Sequence, residues 1–156
     1  MLELDIPGTG RLALSHLVLD YNGTLALDGA LLPGVTERLC ALALDLSLLV
    51  VTADTFGTVR QALAGLPAEV RILPPGPEDR AKLDVLESLG PASCAAMGNG
   101  RNDRLMLAEA GLGVAILGPE GAHREALAAA HVTVPDIRAG LDLLLHPKRL
   151  LATLRV

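Results

Sequence analysis

Apolar and polar positions follow two different periods along this chain. Short, mostly apolar segments at residues 16–20, 48–51, 70–73, 93–97, 112–116 and 132–134 read as strands, and residues 48–51 are apolar without a break. Runs of this length without alternation mark strands buried on both faces. Between them the period lengthens. Pro33-Gly34 opens a segment in which Val35, Leu39, Leu42 and Leu46 recur at helical spacing. Further helices are expected over residues 56–64, 77–89, 103–110, 121–129 and 137–154, the last broken at Pro147. Strands alternating with helices at this pitch predict an α/β fold with right-handed crossovers and a central parallel sheet. Two hairpins stand outside that rhythm. Residues 2–6 and 11–15 flank the turn sequence Pro7-Gly8-Thr9-Gly10, and residues 25–32 form a small flap around Asp28-Gly29.

Composition narrows the picture. A chain of 156 residues suits one domain spanning 1–156, with enough length to bury a core. Only Tyr21 and Phe56 are aromatic, so that core must be built from Leu, Val and Ala. A net charge of −5 without a Lys/Arg cluster argues against a nucleic-acid partner. Asp45 and Thr52-Ala53-Asp54 interrupt the apolar tracts, leaving them well short of the ~20 residues a membrane-spanning helix needs. The first residues lack a basic region followed by an apolar stretch, so no secretion signal and a cytoplasmic location are expected. Cys40 and Cys94 are accordingly expected as two buried free thiols.

The candidate chemistry sits where strands end. Asp20-Tyr21-Asn22-Gly23-Thr24-Leu25 follows the apolar run, so a carboxylate emerges at a strand tip immediately before a Gly-Thr turn. Open α/β sheets bind ligands at that end, and aspartate can serve as a covalent nucleophile for phosphoryl groups. Thr52 ends the next run, where its hydroxyl and the adjacent Ala53 backbone could hold a phosphoryl oxygen. Lys82 falls in the first turns of the helix after residues 70–73, with Arg80 as its local competitor. An ammonium there could neutralise both the nucleophile and a phosphate. Gly98-Asn99-Gly100-Arg101-Asn102-Asp103 then makes a tight loop able to carry Asp103 towards Asp20. Two converging carboxylates with backbone and amide oxygens form a hard donor set suited to Mg²⁺. His16, His123, His131 and His146 lack ligand spacing, and Gly111-Leu112-Gly113 reads as a turn. Gly118-Pro119-Glu120-Gly121 ends a strand and opens a helix at the rim, with no catalytic part.

Taken in order, these residues resemble the four motifs of the haloacid dehalogenase (HAD) superfamily of phosphohydrolases. The match runs from residue 16 to at least 134, and it is closest to the soluble P-type-ATPase-like members. The resemblance implies a Rossmann-like three-layer sandwich, a Mg²⁺ cofactor and an aspartyl phosphate on Asp20. It assigns catalysis to Asp20, Thr52 and Lys82, with position 22 as the usual acid/base. Substrate contacts fall to Gly23, Thr52, Ala53 and Lys82, and metal contacts to Asp20, the Asn22 carbonyl, Asn99 and Asp103. Two departures stand out. Asn22 replaces the usual acid/base aspartate, and Asn99 replaces the first aspartate of the fourth motif. No cap domain fits between the motifs, so the site is left open to a phosphorylated substrate, small or bulky, or is enclosed by a second subunit of a homo-oligomer. The expected activity is a Mg²⁺-dependent phosphatase, slowed by Asn22. The alternative is a weakly catalytic or non-catalytic domain that binds Mg²⁺ and phosphate as a switch. A generic nucleotide-binding domain ranks last, for want of a Gly-rich fingerprint.

Overall fold

A computed structural model of the chain describes residues 1–55 and 57–156. Its central sheet has six parallel strands: β3 (His16–Leu19), β6 (Ser47–Thr52), β7 (Ala68–Ile72), β8 (Cys94–Gly98), β9 (Leu112–Ile116) and β10 (Val132–Val134). They lie in the order β10-β9-β8-β3-β6-β7. An antiparallel hairpin of β1 (Leu2–Ile6) and β2 (Gly10–Leu14) precedes the sheet, and the flap pairs β4 (Ala26–Leu27) with β5 (Ala30–Leu31). The helices are α1 (Val35–Leu42), α2 (Val59–Ala62), α3 (Glu78–Leu89), α4 (Arg104–Glu109), α5 (Arg124–Ala129), α6 (Ile137–Leu145) and α7 (Pro147–Leu154). The break expected at Pro147 separates α6 from α7. The helix expected over 56–64 is shorter, and its position 56 lies outside the described residues.

Strand β3 shows why the sheet is covered on both faces. Leu17 and Leu19 point into a core shared with α1, α6 and the first hairpin, whereas Val18 points into a second core with α3, α4 and α5. All three are fully buried. Burial of such side chains is worth about 1.5–3 kcal/mol each, which commits the strand to the middle layer. Arg38 on α1 ties that outer layer together by donating to both carboxylate oxygens of Asp142 on α6, at 2.8 and 3.1 Å.

Connection order positions the site. From β3 the chain moves through β6 to β7 on one side, then crosses back along α3 to β8 on the other. The winding therefore reverses at β3, and the crevice at the carboxyl ends of β3 and β8 is where such sheets accept ligands.

Three expectations are corrected. Cys40 is exposed, because it lies about 100° around α1 from the buried Leu39. Leu112 and Gly113 belong to β9 and not to a turn, because they pair with Ala95 and Ala96 of β8. Glycine is needed at 113 because a Cβ would collide with the Leu107 carbonyl of the helix packed on it. The Gly118–Gly121 segment does not open a helix directly, because α5 begins only at Arg124, with the His123 imidazole accepting from the Glu125 N–H.

Candidate active site

Asp20 follows the last residue of β3, with its backbone N–H donating to the Met97 carbonyl of β8 at 3.0 Å. The two central strands therefore hold the aspartate directly. Contrary to the expected solvent-facing carboxylate, Asp20 is only 6% exposed. The chain then turns tightly, with Leu25 and Ala26 both donating to the Tyr21 carbonyl. Gly23 adopts φ +78°, and a Cβ there would lie 2.6 Å from both Asn99 Nδ2 and Glu120 Oε2. Only glycine meets both demands. The Tyr21 hydroxyl donates to the Gly29 carbonyl at 2.8 Å and so ties the flap to this turn.

Lys82 joins the end of β3 to the loop after β8. It is fully buried on the inner face of α3 beside Leu83, Val85 and Leu86. Its Nζ donates to Asp20 Oδ1 at 2.7 Å and to Asp103 Oδ1 at 2.6 Å. Burial opposes its charge, but the two carboxylates outweigh that cost and hold the ammonium above its ordinary value. Arg80, the alternative, is exposed. Asp103 lies wholly inside, its second oxygen accepting from the Gly100 N–H at 2.8 Å. Burial, reinforced by the neighbouring Asp20 charge and opposed by Lys82, pushes its carboxyl up to about 6.

Above this array opens a cleft of about 230 Å³ lined by Asp20, Asn22, Thr52, Ala53 and Asn99 among others. Lys82 and Asp103 are not on its wall. Thr52 is buried at the end of β6, with its hydroxyl accepting from the Asp54 N–H at 3.0 Å. Asp54 has φ +51°, and its Oδ1 accepts from the N–H groups of Thr58 and Val59 at 3.0 and 3.2 Å. Its carboxylate is therefore committed to the entry of α2.

Four residues to which the sequence assigned no role also stand in the site. Thr24 donates to Asp20 Oδ2 at 3.1 Å and also lies 3.3 Å from Asn99 Oδ1, so one hydroxyl bridges two loops. Its place four residues after the aspartate was the available signal. Glu78, Asn102 and Glu120 also line the cleft, with Asn102 Nδ2 donating to Glu78 Oε2 at 2.6 Å. A wider groove of about 630 Å³ adjoins it, shares Glu78 and Asn102, and adds Arg101 and Arg104.

The donor set suits a hard divalent cation. Asp20 and Asp103 both accept from Lys82 Nζ, and each carboxylate oxygen has a second lone pair for a cation. Glu78 and Glu120 add negative charge at the mouth. Asn22, which lines the cleft, has a buried Oδ1 with no hydrogen-bond partner among the described residues. Among those residues no group of three or more His, Cys, Asp or Glu side chains converges, so a cation here would rest on two carboxylates plus amide and backbone oxygens. Mg²⁺ tolerates such a sparse protein shell because it keeps waters and substrate phosphate as ligands.

No protein-family model matches the chain. Its sequence is 43% identical over 84 residues to an uncharacterized protein of Methanocaldococcus jannaschii, an alignment spanning 51% of this chain and 90% of that protein. Among solved structures, it superposes with a TM-score of 0.66 on the 3-deoxy-D-manno-octulosonate 8-phosphate phosphatase of Moraxella catarrhalis, solved with magnesium, phosphate and the sugar acid. Identity there is 19%, and the match covers 91% of this chain and 94% of that one. The cobalt-bound phosphatase of Haemophilus influenzae gives a TM-score of 0.70 at 14% identity, covering 87% and 90%. Near-complete mutual coverage leaves no segment of the size of a cap. The chain also superposes on a putative HAD family hydrolase from Streptomyces avermitilis with a TM-score of 0.70 at 22% identity over 87% of each chain. It belongs to the same family as the M. jannaschii protein, and it has the fold of the haloacid dehalogenase (HAD) hydrolases in a form without a cap domain.

Proposed function

We propose that this protein is a Mg²⁺-dependent phosphohydrolase acting through an aspartyl phosphate on Asp20. The observation that carries the reading is the buried Asp20–Lys82–Asp103 array at the carboxyl ends of β3 and β8, beneath a cleft that Thr52 also lines. Structural kinship with sugar-acid phosphate phosphatases supports a phosphate monoester as substrate.

In this mechanism Asp20 attacks phosphorus in line with the leaving oxygen. Thr52, the Ala53 and Gly23 backbone and Lys82 hold the transferring oxygens, and Lys82 also donates to the nucleophile. Asp20, Asp103, the Asn22 carbonyl and Asn99 would hold Mg²⁺, which when bound offsets the repulsion between phosphate and carboxylate. Water then cleaves the acyl phosphate. The adjoining groove with Arg101 and Arg104 gives the leaving group room outside the buried array.

A second reading, a slow enzyme or a phospho-aspartate switch, draws on Asn22. An amide cannot shuttle the proton that such hydrolysis needs, a service typically worth 10²–10⁴-fold in rate. Phosphate release from 4-nitrophenyl phosphate with Mg²⁺ tests both readings. Asp20→Asn abolishes release, and Asn22→Asp raises it if position 22 acts as a brake. Near wild-type release from Asp20→Asn overturns the mechanism. Single-turnover labelling without release assigns the natural protein to the switch.

A further inference from the structure

We infer that Glu120 is the general acid and base for this chemistry, supplying from the β9–α5 turn what position 22 lacks. The inference rests on the phosphohydrolase reading. Apart from the nucleophile, four carboxylates stand close enough to the cleft to be considered. Asp54 is spent on the N–H groups of Thr58 and Val59. Glu78 Oε2 holds Asn102. Asp103 is off the cleft wall, with one oxygen accepting from Lys82 and the other from the Gly100 N–H, and its remaining lone pairs are assigned to the metal. Glu120 lines the same cleft and is exposed. Among the described residues it has neither a hydrogen-bond nor an ion-pair partner.

Its position is fixed by its surroundings. Gly121 N donates to the Gly118 carbonyl at 3.3 Å, closing a turn with Pro119 and Glu120 at its centre. Proline in the first of those places pre-sets the backbone. Ahead of Glu120, Gly118 N donates to the Pro135 carbonyl at 3.0 Å. Behind it, Asn99 Nδ2 donates to the Gly121 carbonyl at 3.0 Å, and His123 N donates to the Asn99 carbonyl at 2.8 Å. The turn is thus clamped to the loop carrying Asn99. Glu120 Oε2 reaches over Gly23, 2.6 Å from where a Cβ would stand. That is the loop of the nucleophile itself, one residue beyond the amide that occupies the usual acid/base position.

In the first step a new bond forms between an Asp20 oxygen and phosphorus while the phosphorus–leaving-oxygen bond breaks. The departing alkoxide takes the proton of the Glu120 carboxylic acid. In the second step a water oxygen attacks phosphorus as the Glu120 carboxylate removes its proton. The phosphorus–Asp20 bond breaks, and free phosphate leaves with both carboxyl groups restored to their starting states.

The experiment compares wild type, Glu120→Gln and the Glu120→Gln/Asn22→Asp double variant on 4-nitrophenyl phosphate and β-glycerol phosphate. Nitrophenolate leaves without a proton, whereas an alkoxide needs one. Glu120→Gln should keep a burst of nitrophenol, accumulate phosphoenzyme and lose about 10²-fold or more in turnover. Its loss should be larger on β-glycerol phosphate, and Asn22→Asp should recover much of it. Turnover of both substrates within about twofold of wild type overturns the inference. So does an equal loss on both substrates without phosphoenzyme, the mark of a positioning role. A wild type that forms no phosphoenzyme and releases no phosphate overturns the phosphohydrolase reading itself, and the inference falls with it.

Discussion

Lys82 is the residue on which the site's electrostatics turn. A buried ammonium is costly unless paired, and here two buried carboxylates bind it at 2.6 and 2.7 Å. Removing it by Lys82→Met leaves Asp20 and Asp103 facing each other without a cation. Breaking a buried ion pair from one side costs about 3–5 kcal/mol. The sign with pH follows from Asp103. Its carboxyl rises from 3.8 to about 6 on folding, so the folded state holds the extra proton between those values. That contribution is complete at the acid end and is lost as pH rises through about 6. Lys82→Met widens the gap, so its Tm deficit against wild type, measured in chelator, should be large at neutrality and shrink on acidification. A deficit independent of pH would mean that Asp103 does not feel the ammonium.

At the scale of elements, Gly113 shows how closely α4 lies on the sheet. A Cβ there meets the Leu107 carbonyl, a backbone atom that no rotamer can move. Gly113→Ala should therefore lower stability by about 1–3 kcal/mol in urea unfolding. An unchanged midpoint would show that the helix can slide. Much of this layer was legible in the sequence. Leu48 to Val51 announced a two-face strand, and β9 and β10 fall where their apolar runs predicted. What escaped depends on long-range packing. The recurrence of Val35, Leu39 and Leu42 located α1 but not its far face, where Cys40 lies exposed. Lys82 stands out by its place in the motif order, but its burial between Asp20 and Asp103 becomes visible only in the fold. The Gly118–Gly121 turn looked like a simple boundary because its grip on Asn99 comes from 22 residues away in sequence.

For the whole molecule, the winding reversal at β3 brings four separated segments to one crevice: the Asp20 turn, Thr52, Lys82 and the Gly98–Asp103 loop. On the proposed function, with no cap over that crevice, substrate choice would fall to the flap, the Glu120 turn and the groove that adds Arg101 and Arg104. Tyr21 links the flap to the loop after Asp20. Tyr21→Phe should therefore raise KM more than it lowers kcat, and the opposite pattern would place the flap in the chemical step. The central claim is covalent attachment of phosphate to Asp20, and trapping tests it most directly. The protein is quenched during turnover with Mg²⁺ and 4-nitrophenyl phosphate, then treated with borohydride, which reduces an aspartyl phosphate to homoserine. Peptide mass analysis should find homoserine at position 20 in wild type, dependent on substrate and Mg²⁺. Phosphate release with aspartate unmodified at position 20 under every quench, or homoserine elsewhere, would contradict the account.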